Sequence, residues 1–132
     1  MIELKKELYK QIIRECRDGL PNESCGILAG KNGKVDRVYP MANSDRSAAT
    51  FFMDPREQLK TMKEIRANGL EMAGIYHSHP ETRAYPSSHD VKLAFYEEVS
   101  YVIISLKEKG NPDIRSFKIS GGNITEEEVK IQ

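Results

Sequence analysis

The chain has little cysteine, no net charge and no long apolar run, and each lack closes off a class of protein. Cysteine occurs twice in 132 residues, at Cys16 and Cys25. Two thiols make no disulfide framework. They read as buried thiols, with a Cys16–Cys25 bridge or a reactive thiol as the other options. The 20 basic and 20 acidic residues balance. No basic surplus points to nucleic acid, and no acidic tail points to a basic partner. No stretch approaches the run of about 18 apolar residues that a membrane-spanning helix needs. The opening MIELKKELYK lacks the apolar centre of a signal peptide, so a cytoplasmic protein is expected. Repeats, low-complexity segments and linkers are absent, and one domain over residues 1–132 is expected. With 39% hydrophobic and 30% charged residues, the composition suits a globular protein.

What is there reads as alternating helices and strands. Leu4, Leu8, Ile12, Ile13 and Cys16 recur at helical spacing and predict a helix over 3–18. The apolar SCGILAG (24–30) predicts a strand. KNGK makes a hairpin turn, because Asn-Gly tolerates positive φ, and KVDRVYPM (34–41) is the returning strand. After a polar loop, TFFM (50–53) reads as a short strand. Asp54 suits an N-cap and Pro55 the first helical position. Leu59, Met62 and Ile65 form that helix's expected core stripe, and Asn68-Gly69 stops it. EMAGIYH is the next strand. A third helix is expected from Ser87 or Ser88 to about residue 98. SYVIISL (100–106), the most apolar segment, reads as a central strand. Weaker strands follow at 114–119 and 124–131, the last at an edge. The order predicts one mixed sheet with helices packed against it.

All three histidines fall in HSHPETRAYPSSHD, residues 77–90. A strand sends residues i and i+2 to one face. His77 and His79 therefore project together and can reach one metal at about 2.0–2.1 Å each. Pro80 ends the strand. Ser87 suits the cap of the next helix, which puts Asp90 in its first turn. Two imidazoles and a carboxylate leave a fourth position for water, and a site open in this way is catalytic. Zinc suits the donor set. A zinc hydrolase also needs a base that is not a ligand. Glu23, where a loop enters an apolar strand, is a candidate, but spacing alone does not choose it among the other acids. His-Ser-His also suits an exposed strand end, and Ser-x-x-Asp also suits a capping box.

Taken together, Glu23, His77-Ser78-His79-Pro80 and Ser87-x-x-Asp90 resemble the signature of the JAMM (MPN+) metalloproteases, the JAB1/MPN/Mov34 family. The flanking ESCGILAG, GIYHSHP and YVIISL segments agree, and the likeness covers roughly residues 1–120 with no departure at the five signature positions. The resemblance implies an α/β fold, a single cytidine-deaminase-like domain with a curved mixed β-sheet flanked by helices. It implies one Zn2+ per chain on His77, His79 and Asp90. It makes Glu23 the general base and later the acid for the leaving amine. It gives Ser87 the oxyanion of the tetrahedral intermediate, or the water. The implied activity is hydrolysis of a peptide or isopeptide bond after the C-terminal tail of a ubiquitin-like protein. The short chain is similar to the stand-alone prokaryotic members, for which a sulfur-carrier type of ubiquitin-like protein is the expected partner. Neither nucleic acid nor a membrane is expected as a partner. The tail is expected to lie extended against a sheet edge, where main-chain pairing reads it.

Two other functions compete. A scaffold or protein-binding module of the same fold lacks the ligand set, which this chain keeps. A small-molecule zinc amidohydrolase is the third reading. Deaminases of related fold use a C-x-x-C pair that is absent here, and HxH barrels need more residues than this chain has. Within the motif, His89 competes with Asp90, but neighbours on a helix diverge by about 100°, and the signature favours Asp90. Cys25 as a nucleophile conflicts with its apolar strand, since buried thiols are inert. Tyr85-Pro86 reads as loop or as a wall of the substrate channel.

Overall fold

The computed structural model describes residues 1–132. In chain order the elements are β1 (Ile2–Leu4), α1 (Lys6–Asp18), β2 (Cys25–Lys31), β3 (Lys34–Met41), α2 (Pro55–Ala67) and β4 (Glu71–His79). They continue with α3 (Ser88–Lys92), β5 (Ser100–Ser105), β6 (Asp113–Ser120), β7 (Asn123–Glu127) and β8 (Val129–Ile131). All eight strands join one sheet in the order β7-β6-β5-β4-β2-β3-β1-β8. The sheet is mixed, with β4 parallel to β5 and β1 parallel to both β3 and β8. Its curvature follows from connectivity. The strands β7 and β8 lie at opposite edges, yet only Glu128 separates them in the chain. The sheet must wrap until its edges nearly meet. No helix is long and apolar enough to cross a membrane.

The central strands are buried on both faces and divide the core in two. On β5, Tyr101 and Ile103 enter one cluster with Ile27, Phe51, Ile65, Ile75 and Phe117. Val102 and Ile104 enter the other, with Ile12, Cys16, Leu28 and Tyr76. The first lies on the α2 side, the second on the α1 side. Strand β4 alternates in the same way, so His77 and His79 share the face of Ile75, while Ser78 shares that of Tyr76. Tyr76 donates its hydroxyl hydrogen to Glu15 Oε2 at 2.8 Å. Its ring lies so close to Gly26 that a Cβ there would stand 2.4 Å from it, so β2 needs glycine at this crossing.

Several expectations hold. The β2–β3 turn has Asn32 at φ 53° and Gly33 at φ 77°, as a two-residue hairpin requires. Asp54 caps α2 by accepting the Arg56 N–H at 2.8 Å. Gly69, at φ 72°, stops that helix.

Others are corrected. Residues 2–4 form a strand rather than the start of α1, because Ile2 and Leu4 are both fully buried between β3 and β8. Residues 50–53 form no strand. Phe51 and Met53 point inward and Phe52 outward, but the Phe52 N–H donates to Asn43 Oδ1 and its carbonyl accepts from Ser44, so loop groups take the place of a ladder. The helix expected to run to about residue 98 stops at Lys92. Beyond it the Tyr101 hydroxyl binds both the N–H and the C=O of Tyr96, which removes that peptide from any helix. The last segment is split at Glu128 into strands on two edges. Finally, α2 buries Thr61 and Ile65 while Leu59 is 56% exposed. Six residues at about 100° each turn Leu59 roughly 120° away from Ile65. Met62 is only half-buried.

Candidate metal centre

The site is assembled where β4 ends. His77 pairs across the sheet with Cys25 on one side and Ile103 on the other, and His79 pairs with Ser105. Two central neighbours therefore fix the strand that presents both rings. Pairing with the segment before β2 extends one step past Cys25, because the Ser78 N–H donates to the Ser24 carbonyl at 2.9 Å. Glu23, next along that segment, is thereby brought level with the two histidines.

Asp90 arrives from α3. Ser87 caps this short helix with a full capping box: its Oγ accepts the Asp90 N–H at 3.1 Å, and its own N–H donates to Asp90 Oδ2 at 2.9 Å. The same Oδ2 stands 3.1 Å from His77 Nε2 and 3.1 Å from His79 Nε2, and the two Nε2 atoms are 3.1 Å apart. Three donor atoms thus form a nearly equilateral triangle, and all three residues are buried. Ligands about 2.0–2.1 Å from a tetrahedral zinc stand roughly 3.3 Å from one another, so the triangle fits that ion closely.

The ring nitrogens are set by their second partners. His79 Nδ1 faces the Arg83 carbonyl at 2.8 Å. A carbonyl only accepts, so Nδ1 carries the hydrogen and Nε2 keeps a lone pair for a metal. The His77 ring stacks on Phe51, with centroids 4.5 Å apart and planes at 25°. Burial holds the His77 pKa down. It acts the same way on His79, but the bonds to Asp90 and to the Arg83 carbonyl outweigh it and raise that pKa. Burial also works to raise Asp90, and the hydrogen bonds from His77 and His79 overcome it and keep the carboxyl well below the usual range. Asp90 is therefore a firm anion between two imidazoles.

Glu23 behaves in the opposite way. Only 4% of it is exposed. Burial pushes its carboxyl up to about 8, against the lowering effect of His79. Its Oε1 accepts no hydrogen bond from the protein, and neither does Asp90 Oδ1. The site thus pairs an ionised carboxylate suited to a metal with a second carboxyl poised near neutral pH.

An apolar pocket opens beside His77 and Asp90, walled by Phe51, Met53, Ile75, Tyr101 and Ile103. Phe52 and Phe95 stand at this pocket, 41% and 73% exposed. Pro86 lines it too, whereas Tyr85 packs edge-on against Phe117. The five expected site residues are all placed at the ends of β4, α3 and the segment before β2. His89 takes no part in the triangle. Cys16 and Cys25 are free and lie in different halves of the core, which leaves no bridge between them. Sequence reasoning missed Phe51, the Arg83 carbonyl and Asn43. Only Asn43 carried a signal, since Asn at a loop start favours a side-chain-closed turn.

An α/β domain that presents two strand-end histidines and a helix-borne aspartate beside a buried glutamate is the frame of a JAB1/MPN metalloprotein. The comparisons agree. Residues 5–120 match the family described as prokaryotic homologs of the JAB domain, and the chain belongs to it. It is 36% identical over 130 residues to the CysO-cysteine peptidase of Mycobacterium tuberculosis, covering 97% of this chain and 89% of that one. A probable TtuB-protein conjugate cleaving protease of Thermus thermophilus is 36% identical over 120 residues, or 90% and 74% of the two chains. Among solved structures, a Desulfitobacterium hafniense protein superposes with a TM-score of 0.90 at 45% identity, covering 100% of this chain and 93% of that one. A structure described as a JAMM metalloprotease-like zinc site shares the fold, with a TM-score of 0.65 at 17% identity over 100% and 98% of the chains.

Proposed function

We propose that this protein is a zinc metallopeptidase acting as one domain, with one Zn2+ per chain held by His77, His79 and Asp90. Its substrate is the peptide or isopeptide bond that follows the C-terminal tail of a ubiquitin-like protein of sulfur-carrier type, and it acts in the cytoplasm. The observation that supports this most directly is the 3.1 Å triangle of Nε2, Nε2 and Oδ2 with the unpaired Glu23 carboxyl beside it. The relatives named as a CysO-cysteine peptidase and a TtuB-conjugate protease support the substrate class.

Zinc held there by His77, His79 and Asp90 would supply a Lewis acid that acidifies water to a pKa of about 7. The rest is done by the chain. Glu23 takes the proton of the attacking water and returns it to the leaving amine. Burial raises its pKa in the metal-free site, which favours its holding the proton between the two transfers. Ser87 Oγ accepts from the Asp90 N–H, which leaves its own hydrogen to donate to the oxyanion. The Arg83 carbonyl keeps His79 in the ligating tautomer. Phe52 and Phe95, exposed at the pocket, offer apolar surface to a protein substrate, which a small-molecule amidohydrolase does not need.

A paired assay tests the reading. Wild type and Glu23→Gln are purified, their zinc is measured, and both are incubated with fusions to the C-terminus of a ubiquitin-like carrier. Wild type is expected to cleave and the variant to retain zinc while cleaving only at a low residual rate. Equal cleavage by the two removes Glu23 as the base, and a protein without stoichiometric zinc removes the metal site.

A further inference from the structure

Asn43 binds the backbone of Glu23 and both limbs of the loop beside His77 with a single side chain. Its Nδ2 donates to the carbonyls of Glu23 and Thr50, each at 3.0 Å. Its Oδ1 accepts the N–H of Asp45 at 3.0 Å and of Phe52 at 3.1 Å. An amide side chain has two donor hydrogens and two acceptor lone pairs, so every bond it can make is made. The loop also reaches Glu23 from the other side, where the Glu23 N–H donates to the Ser47 carbonyl at 2.8 Å. Glu23 precedes β2, so no strand ladder holds these two groups. The loop holds them instead. Immediately past Thr50, the same loop delivers Phe51 against the His77 ring.

We infer that Asn43 is a positioning residue that sets the Glu23 carboxyl against the His77–His79–Asp90 triangle and couples it to the loop packed on His77. The inference rests on the catalytic role proposed for Glu23. Asn43 touches no reacting atom and acts only through the Glu23 carbonyl and the loop. A base must be placed to within a fraction of an ångström, and a misplacement of about 1 Å can cost about a hundredfold in rate. Ser24 is still registered to Ser78, but Glu23 lies one residue beyond that pairing, and its own N–H and C=O are held only by the Ser47 carbonyl and the Asn43 amide.

Asn43→Asp isolates the link. It keeps an acceptor for the Asp45 and Phe52 amides and loses both donations. Asn43→Ser, which is neutral and too short to bridge the two carbonyls, is the second variant if the first folds poorly. Three results are expected. In metal-free protein, hydrogen exchange at the Glu23 amide speeds up at least about tenfold, while the β5 amides do not change. With zinc bound at wild-type stoichiometry, kcat on the carrier fusion falls about 10–100-fold and KM holds. In a Glu23→Gln background, Asn43→Asp lowers the residual rate no further, because the group it positions is already gone. An unchanged kcat, or the same loss in both backgrounds, overturns the inference and leaves Asn43 as a loop staple. If wild type cleaves no carrier fusion, the function has failed on its own. Unchanged exchange at the Glu23 amide would then still decide against Asn43.

Discussion

The hydroxyl of Ser78 accepts the backbone N–H of Ser24 at 2.8 Å, and the Ser78 N–H donates to the Ser24 carbonyl at 2.9 Å. Ser78 lies between His77 and His79, and Ser24 follows Glu23. One pair of residues therefore registers the proposed base against the proposed ligands. Ser78 is fully buried, on the face of the sheet away from the metal triangle. It acts on the site only through the backbone.

Ser78→Ala should cost about 1–3 kcal/mol, because it leaves the Ser24 N–H without its partner. Denaturant unfolding of the metal-free protein measures this. A variant as stable as wild type would mean that the second Ser24–Ser78 bond, between backbone groups, holds the register alone.

Zinc should be lost on acidification, one histidine at a time. Asp90 stays ionised because the His77 and His79 bonds hold its carboxyl low against burial. Burial holds the His77 pKa down and so resists its protonation. His79 is raised above the ordinary imidazole value and takes the competing proton first. A raised pKa favours the protonated form, so the competition grows as pH falls. Equilibrium dialysis between pH 8 and pH 5 should show affinity falling with decreasing pH. Constant affinity over that range would exclude histidine ligation.

Ser87→Ala should lower kcat by about 10²–10³ when zinc is saturating. The same change removes the α3 cap, which is worth about 1 kcal/mol, and so weakens zinc binding as well. Measuring kcat at saturating zinc separates the two. A full kcat with weaker zinc affinity would reduce Ser87 to a capping residue.

Cys16 and Cys25 should resist alkylation in the native protein. Burial pushes both thiols up to about 12. The reactive thiolate is then about a thousandfold scarcer at pH 8 than for a thiol at its ordinary value. Labelling with a thiol reagent should be slow in buffer and fast in denaturant. Rapid labelling of the native protein at either position would contradict the packing.

Much of the fold was legible because it is written locally. The Asn32-Gly33 turn, the Asp54 cap and the two-sided apolar run of β5 each depend on a few adjacent residues, and each appeared as expected. The failures came where a distant partner decided. Leu4 fits a helical stripe until β3 and β8 claim it. TFFM alternates like a strand, yet the Asn43 side chain takes its hydrogen bond. The helix that carries Asp90 ends early, and beyond it the Tyr101 hydroxyl captures the Tyr96 backbone.

The proposed metal ligands divide in the same way. Strand alternation alone aims His77 and His79 together, and one capped turn puts Asp90 at the head of its helix, so the sequence by itself determined each local arrangement, while the folded loop between them brings Asp90 to the two rings. Glu23 lies far upstream, among many equivalent acids. Spacing could not choose it, and only the family signature did. Its place is decided by the pairing of Ser24 with Ser78 and by the clasp of Asn43, contacts between segments that only the closed sheet brings together. Its raised pKa has the same origin, because burial exists only once the chain has folded around the carboxyl.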